Sequence, residues 1–271
     1  MKTTVLILGF ILSILTVNAQ DNVKKVRLGY LTANFNNPSY VYGPLKSMTQ
    51  ISYEAKFVNG EVQKGDKLKN SVVGSNVSLR HITFNFNKNG EMVSSTMYDD
   101  LGNPEWTSVF NNENGKIQKV LFLHKDTLKR YNQFIYGQTG LMEIQFRNAD
   151  DDMMTSKTIY ECDKSGNHIR SVYLDSKGTK IYESEIEREN QGRIHWSVSK
   201  NKDGVVVNKV EYLYSKNFEP ASMDIKVEDG KEVDKKGRRE YTFDSRGNWI
   251  KQIRYENDKP LNITERSYTF Y

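Results

Sequence analysis

Cysteine is almost absent. Cys162 is the only one in 271 residues, so it has no partner within the chain and stability must come from burial. Long apolar runs are missing as well: after Val17 no segment approaches the roughly 20 residues of a membrane-spanning helix. No later window of helix length repeats its apolar residues every 3.6 positions, which argues against amphipathic helices. Nor is charge of one sign gathered anywhere. The 39 basic and 34 acidic residues, net +5, are scattered, and no patch or stripe suited to nucleic acid emerges. The one modest basic cluster, Lys235, Lys236, Arg238 and Arg239, lies beside a turn. It reads as a solvated loop, or as a weak contact with an anionic envelope polymer or membrane surface.

What is present begins with a leader. Lys2 supplies a positive start, Val5 to Val17 are apolar with few interruptions, and Val17-Asn18-Ala19 puts small residues where a signal peptidase reads. Residues 1–19 are therefore expected to be a signal peptide, and the exported chain to begin near Gln20, in the periplasm or outside the cell. Without a cysteine after the cleavage site no lipid anchor is expected, and no membrane span. Residues 20–44 read as a lead-in segment and 45–271 as a repeat domain.

The repeat is written in glycine. Gly90, Gly115, Gly140, Gly166 and Gly192 step by 25, 25, 26 and 26 residues, and Gly178, Gly204 and Gly230 by 26, with Gly102 three periods before Gly178. A fixed period of this size marks a repeat array. Two series offset by half a period mean two turns per unit, so the unit is a β-hairpin. Between the glycines, apolar and polar residues alternate: Ile82, Phe84 and Phe86 against His81, Thr83 and Asn85; Ile194, Trp196 and Val198 against Arg193, His195 and Ser197. Ile117, Leu121 and Leu123 share a parity with Lys119, and Trp249, Ile253 and Tyr255 with Lys251. The 16 Tyr and 12 Phe suit a pleated, half-buried surface.

The turns have a chemistry of their own. Phe86-Asn87 to Gly90, Tyr98-Asp99 to Gly102 and Phe243-Asp244 to Gly247 share an aromatic, Asp or Asn, two polar residues and Gly. The Asp or Asn side chain accepts from the backbone two residues on, and the glycine takes the left-handed conformation a bulged loop demands. Phe110-Asn111 to Gly115 reads as the same motif with one residue added. Where glycines are missing, other turns stand near the expected places: His124 to Thr127, Asn148 to Asp152, Ser215 to Pro220 and Tyr255 to Pro260. An extra Gly237 marks a short insertion. Cys162, placed where other repeats put Phe or Tyr, reads as a buried structural thiol.

These elements predict an all-β chain, an antiparallel meander of roughly fifteen strands. An open sheet rarely exceeds about ten strands without curling, and a flat one would leave its aromatic face bare. The sheet should curl over that face, as a barrel-like shell or a superhelical coil of hairpins. The string Tyr241-Thr242-Phe243-Asp244-Ser245-Arg246-Gly247-Asn248, with Tyr98-Asp99 to Gly102-Asn103 and Asp163 to Gly166-Asn167, resembles the YD repeats of RHS-type bacterial proteins. Gly43-Pro44-Leu45 and Ile263-Thr264-Glu265-Arg266 are similar to the ends of small exported YD-repeat proteins. Lys200 and Arg188 depart from the motif's aromatic position, and Gly137 from its Asp. In large RHS proteins such repeats form a shell around a toxin domain; this chain has no room for one.

Chemistry is harder to find. His81, His124, His168 and His195 are far apart, and none has a second ligand at metal spacing. Asp150 to Asp152, with Asp163, Ser165 and Asn167, could suggest calcium, but turn formation accounts for them. No phosphate-cradling loop and no Gly-x-Ser-x-Gly elbow is present. Trp106, Trp196 and Trp249 could stack on a sugar or fill a core. No catalytic, cofactor-binding or metal-ligating residue is assigned, no cofactor is expected, and the chain is not expected to be an enzyme. The expected function is that of an exported, non-catalytic interaction or structural module of the bacterial envelope, its partner an envelope protein or polysaccharide. The alternative is a carbohydrate-binding or hydrolytic protein whose site is assembled across repeats.

Overall fold

A computed structural model describes residues 25–27, 40–69, 71–73, 76–78, 81–138, 140–164, 167–189, 193–214, 220–228 and 230–271. The expected signal peptide, Gly166, Gly192 and the turn at 215–219 lie outside the described residues. Strands β1 (Lys25–Arg27) and β2 (Tyr40–Tyr42) pair with each other, and β3 (Leu45–Val58) folds back as β4 (Glu61–Lys67). A small hairpin, β5 (Ser71–Val73) with β6 (Asn76–Ser78), precedes the meander.

The meander opens with β7 (His81–Phe86), β8 (Met92–Tyr98), β9 (Pro104–Glu113), β10 (Lys116–His124), β11 (Thr127–Gly137) and β12 (Gly140–Asn148). It continues through β13 (Met154–Cys162), β14 (His168–Asp175), β15 (Lys180–Arg188), β16 (Ile194–Asn201), β17 (Val206–Tyr214) and β18 (Pro220–Glu228). After a short β19 (Lys231–Lys235) it ends with β20 (Gly237–Phe243), β21 (Trp249–Glu256) and β22 (Lys259–Phe270). The sheet closes: β22 pairs with β3 from Asn262↔Glu54 to Phe270↔Leu45, and β3 pairs with β7. The ring has 16 strands, with β4 and β19 as side hairpins on β3 and β18. Among the described residues no helix occurs. The predicted shell is a closed barrel; β19 is the insertion that Gly237 signalled.

The two glycine series are the two rims. Turns of the first series join β7 to β8, β9 to β10 and onward, at the rim where β3 begins and β22 ends. Turns of the second series lie on the far rim. Their hydrogen bonds follow the expected chemistry. Asp99 Oδ1 accepts from the backbone N–H of Leu101 at 2.9 Å and of Asn103 at 2.8 Å, and Gly102 sits at φ +87°. Asn87, Asp175, Asn201 and Asp244 accept in the same way from the N–H groups two and four residues on. A second turn type has positive φ at both central residues: Asn59-Gly60, Asn114-Gly115, Lys125-Asp126 and Asn257-Asp258. That is the tight two-residue hairpin turn, whose twist matches the flanking strands. Gly115 therefore belongs to a two-residue turn and not to a lengthened Asn111 motif, because Asn111 lies in β9 opposite Lys119.

Side chains directly opposite across an antiparallel pair share a face, so the register carries each face around the ring. On one face stand Leu45, Met48, Ile82, Phe84, Phe86 and Met92, packed with Val41; Ile117, Val120, Phe134 and Ile144 form a second cluster on the same face. All are buried. Two apolar clusters of this size, gathered on one shared face around the ring, mark it as the inner face. Both clusters occupy the half of the barrel nearer the terminal rim, and burying each large apolar side chain contributes about 1.5–3 kcal/mol.

Every hairpin of the ring carries a bulge, one extra residue in the strand leaving the turn, which flips the parity there. The sequence alternation fails at those points. Ile117 is inner, but Lys119, Leu121 and Leu123 are outer, because the register shifts between Ile117 and Lys119. Ile194 is buried inside, whereas the shift at Glu187/Arg188 sends Trp196 and Val198 outward. Trp249 is inner, and Lys251, Ile253 and Tyr255 are outer. Ile82, Phe84 and Phe86 lie clear of a shift for most of their length and share the inner face as expected.

The lead-in is fastened to the terminal rim by one side chain. Asn248, only 2% exposed, follows the Asp244 turn. Its Oδ1 accepts the Tyr42 N–H at 2.6 Å, and its Nδ2 donates to the Tyr42 carbonyl at 3.2 Å and to Asp244 Oδ2 at 3.2 Å.

Candidate functional site

The wall sorts charge between its faces. Outer positions carry carboxylates paired with cations on neighbouring strands. Arg170 bridges Glu161 at 2.6 Å and Glu183 at 2.9 Å, Lys157 reaches Glu143 at 3.2 Å, and Lys200 reaches Glu185 at 2.8 Å. The Arg170 hydrogen bond holds the Glu183 carboxyl below its usual range, while burial opposes it.

Inner positions differ in kind. Arg130, Arg188, Arg239, Arg254 and Arg266 face inward by register. The acids of the inner register among the described residues, Glu54, Asp175, Glu228 and Glu256, stand at the far rim. Asp175 is committed to its turn, and Glu228 is ion-paired with Lys235. Between the rims the inner wall is aromatic, hydroxylic and cationic. Ser52 bonds Thr264 at 2.9 Å, Ser184 bonds Ser199 at 2.8 Å, and Tyr173 stacks on Tyr182 at 5.0 Å. The Arg266 guanidinium lies 3.7 Å above the Trp249 ring, and its Nε donates to Gln50. Arg130 lies 4.9 Å over Phe122, and desolvation by the surrounding wall lowers its pKa although the residue is exposed.

The basic cluster of the sequence is thus not a solvated loop. Arg238 and Arg239 belong to β20 and straddle the wall: Arg238 ion-pairs with Glu240 outside, and Arg239 points inside, where its Nη2 meets Met223 Sδ at 3.7 Å. Cys162 is half-buried on the inner face, its Sγ 3.7 Å from the Leu141 carbonyl oxygen, and burial pushes its thiol pKa up. Trp249 is buried, Trp106 lies 4.7 Å from His124 on the inner face, and Trp196 is on the outer face under Lys209.

The histidines occupy four separate neighbourhoods. His81 stacks on Tyr98 at 4.5 Å and accepts from Lys67 Nζ at 2.6 Å through Nδ1, so its ring is neutral; burial and Lys67 lower its pKa. With Lys69 and Asp100 these residues line a small pocket between β4 and the far rim. His168 meets the edge of Tyr160 at 5.0 Å, and burial pushes its pKa down to about 4. His195 is the bulged residue of β16, 3.5 Å from Glu211 on the outer wall. The acids that suggested calcium are held at opposite ends of β13, Asp150 to Asp152 at the far rim and Asp163 at the terminal rim. Among the described residues no cluster of three or more His, Cys, Asp or Glu could hold a metal ion. Sequence reasoning missed the inner arginines, since only the bulges decide which face each one takes.

No family model matches the chain, and no curated protein matches it. Solved structures do. A porin-like protein from Bacteroides uniformis aligns over 83% of this chain and 98% of its own, at 8% identity and a TM-score of 0.40. A porin-like protein from Bacteroides vulgatus aligns over the same shares at 13% identity and a TM-score of 0.30. A TcdB2–TccC3 structure aligns over 80% of this chain and 16% of its own, at 11% identity and a TM-score of 0.21. Among the described residues no helix is long and apolar enough to cross a membrane.

Proposed function

We infer that this chain is an exported, non-catalytic binding module: a water-exposed β-barrel of the bacterial envelope that engages its partner through the barrel wall. The observation that carries this reading is the charge on the outer face. A barrel embedded in lipid presents an apolar band about 25 Å tall, and a Lys or Arg at its midplane costs about 2–4 kcal/mol. Here Lys157, Arg170, Glu183 and Glu185 stand at outer positions well inside their strands. The leader at residues 1–19 supports export, and the repeated Asp-centred turns support placing the chain with YD-repeat proteins. The titratable side chains are engaged in lateral pairs on the outside or dispersed, an arrangement suited to holding a wall together.

Fractionation of the native host tests this. The protein should be found with the soluble periplasmic or extracellular pool, shortened by its first 19 residues, and should stay in the aqueous phase on detergent partitioning. Retention in carbonate-washed membranes would overturn the reading. Turnover of a glycosidase, esterase or peptidase substrate that vanishes on changing one Asp, Glu or His would favour the hydrolytic alternative instead.

A further inference from the structure

The outer wall is not uniform. Each ring strand from β12 to β20 carries charge at an outer position, and one row, Glu161, Arg170, Glu185, Val198 and Lys209, crosses β13 to β17 in direct register. On the opposite side of the ring the rows are uncharged. Ser267, Thr49, Thr83, Thr96 and Thr107 stand side by side across β22, β3, β7, β8 and β9. The next row toward the terminal rim is Thr269, Ser47, Asn85, Ser94 and Val109. These positions alternate with the inner residues Met48, Ile82, Phe84 and Met97, so both rows face outward. Ser267 and Thr269 are exposed and the others half-buried. Thr49 and Thr83 share a hydrogen bond of 2.9 Å between their hydroxyls, and Asn85 Nδ2 donates to Ser94 Oγ at 3.0 Å. A hydroxyl has one donor and two acceptor sites, so such lateral bonds leave capacity for another partner. Threonine suits a strand anywhere on this wall, and propensity alone does not confine the uncharged rows to one side. At the β22 end the hydroxyl row opens into a groove of about 490 Å³, lined by Thr49, Ile51, Thr242, Ile250, Lys251 and Ser267. That volume falls in the range of small-ligand clefts. Arg266 also lines it but turns its guanidinium inward over Trp249. Glu265 stands at its edge opposite Lys251, tied to Lys64 at 3.0 Å.

We propose that this groove and the hydroxyl row leading from it bind a neutral, extended, β-linked polysaccharide laid across the strands. Neighbouring strands stand about 4.8 Å apart, close to the length of one pyranose in such a chain. Successive sugars therefore meet successive hydroxyls from Ser267 to Thr107. The threonine methyl groups, with Ile51 and Ile250, suit the C–H faces of the rings, and the hydroxyls suit the equatorial hydroxyls at their edges. Because the rows are uncharged, a neutral chain docks there without stripping water from an ion. An anionic chain has no cation to meet along them. This deepens the binding-module reading and rests on it.

Calorimetry of the purified, processed protein tests this with four probes: cellohexaose, N-acetylated chitohexaose, maltohexaose and hexagalacturonate. One of the two β-linked neutral probes should bind at least tenfold more tightly than the coiled, α-linked maltohexaose and the anionic hexagalacturonate. Which of the two binds tells a glucose chain from an N-acetylglucosamine chain. Ser267→Arg sets a long charged side chain at the mouth of the groove and should weaken that probe tenfold or more. Thr96→Val combined with Thr107→Val keeps shape and β-branching while removing two hydroxyls of the row. It should weaken the hexasaccharide at least fivefold and leave the matching trisaccharide, which the groove alone holds, within twofold. Lys157→Gln, on the charged side of the wall, should change binding less than twofold. The valine pair should unfold at the parent's urea concentration; if it fails to fold, Ser267→Arg at its exposed position still decides. Full binding by either the valine pair or Ser267→Arg, equal loss from Lys157→Gln, equal binding of maltohexaose or hexagalacturonate, or silence from both β-linked probes would overturn the proposal. Those results leave the module reading standing so long as the protein remains in the soluble pool. Retention in membranes, or shortening of the probe during the titration, overturns that reading itself.

Discussion

Asn248→Ala should detach the lead-in from the barrel at a cost that can be worked out bond by bond. The side chain accepts one backbone N–H and donates to one backbone carbonyl, both of Tyr42, and donates again to Asp244. At 2% exposure, water does not readily take over these partners. A buried polar group left unsatisfied costs about 1–3 kcal/mol, and Tyr42 would have two such groups, less whatever relaxation lets water reach them. A loss of about 2–4 kcal/mol is expected in urea unfolding. The control is Asn103, the matching residue of the Asp99 turn, which makes the same bonds to its own Asp but is exposed. Asn103→Ala should cost about 1 kcal/mol or less, in line with a solvent-replaceable hydrogen bond. Hydrogen exchange should show the Tyr42 amide losing protection in the Asn248 variant before the barrel strands do. Equal losses at the two sites, with Tyr42 protection unchanged, would refute the clasp.

Gly102→Val forces a β-branched residue to φ +87° with open space around it, so conformational strain alone should cost about 1–3 kcal/mol in urea titration. His168 gives a pH signature. Its folded pKa of about 4 lies below the unfolded value near 6.5, so its contribution is complete above pH 6.5 and is lost as the pH falls toward 4. The loss is at most about 3 kcal/mol, and about half that after its partial exposure is allowed for. The stability difference between the parent and His168→Gln should vary over that window and be flat above it. Cys162 should react with a neutral disulfide reagent at pH 7.5 several-fold more slowly in the folded protein than in urea, because burial raises its thiol pKa.

The period, the turns and the curling of the sheet were legible because each leaves a mark in the sequence. A glycine every 25 or 26 residues fixes where the chain reverses, and Asp or Asn three residues earlier says how. Curling followed from area, since a sheet this wide with one aromatic face must cover it; the choice between a shell and a superhelical coil was decided by the pairing of β22 with β3, which no residue type announces. The faces were not legible. Each bulge inserts one residue without a residue type of its own: His195, Gln118 and Ile250 occupy equivalent outward positions and share no chemistry. Alternation read through such a point assigns the second half of the strand to the wrong side, as happened for Trp196 and for Leu121.

That loss matters more for function than for fold. Read without the bulges, Arg239 and Arg254 are two more charges in an evenly mixed sequence, indistinguishable from Arg238 and Lys251. With the register in place, the charged residues of the described strands separate: carboxylates stand outside or at the rims, many paired along the wall, while several arginines stand inside among rings, amides and hydroxyls. A lateral ion pair on an exposed wall is worth about 0–1 kcal/mol, so the outer network makes a polar surface more than a stable one. Stability comes from the apolar clusters of the terminal half. The remaining half of the inner wall, toward the far rim, is where Arg239 and Arg254 stand directly opposite each other, with the carboxylate of Glu256 two residues on in the same register.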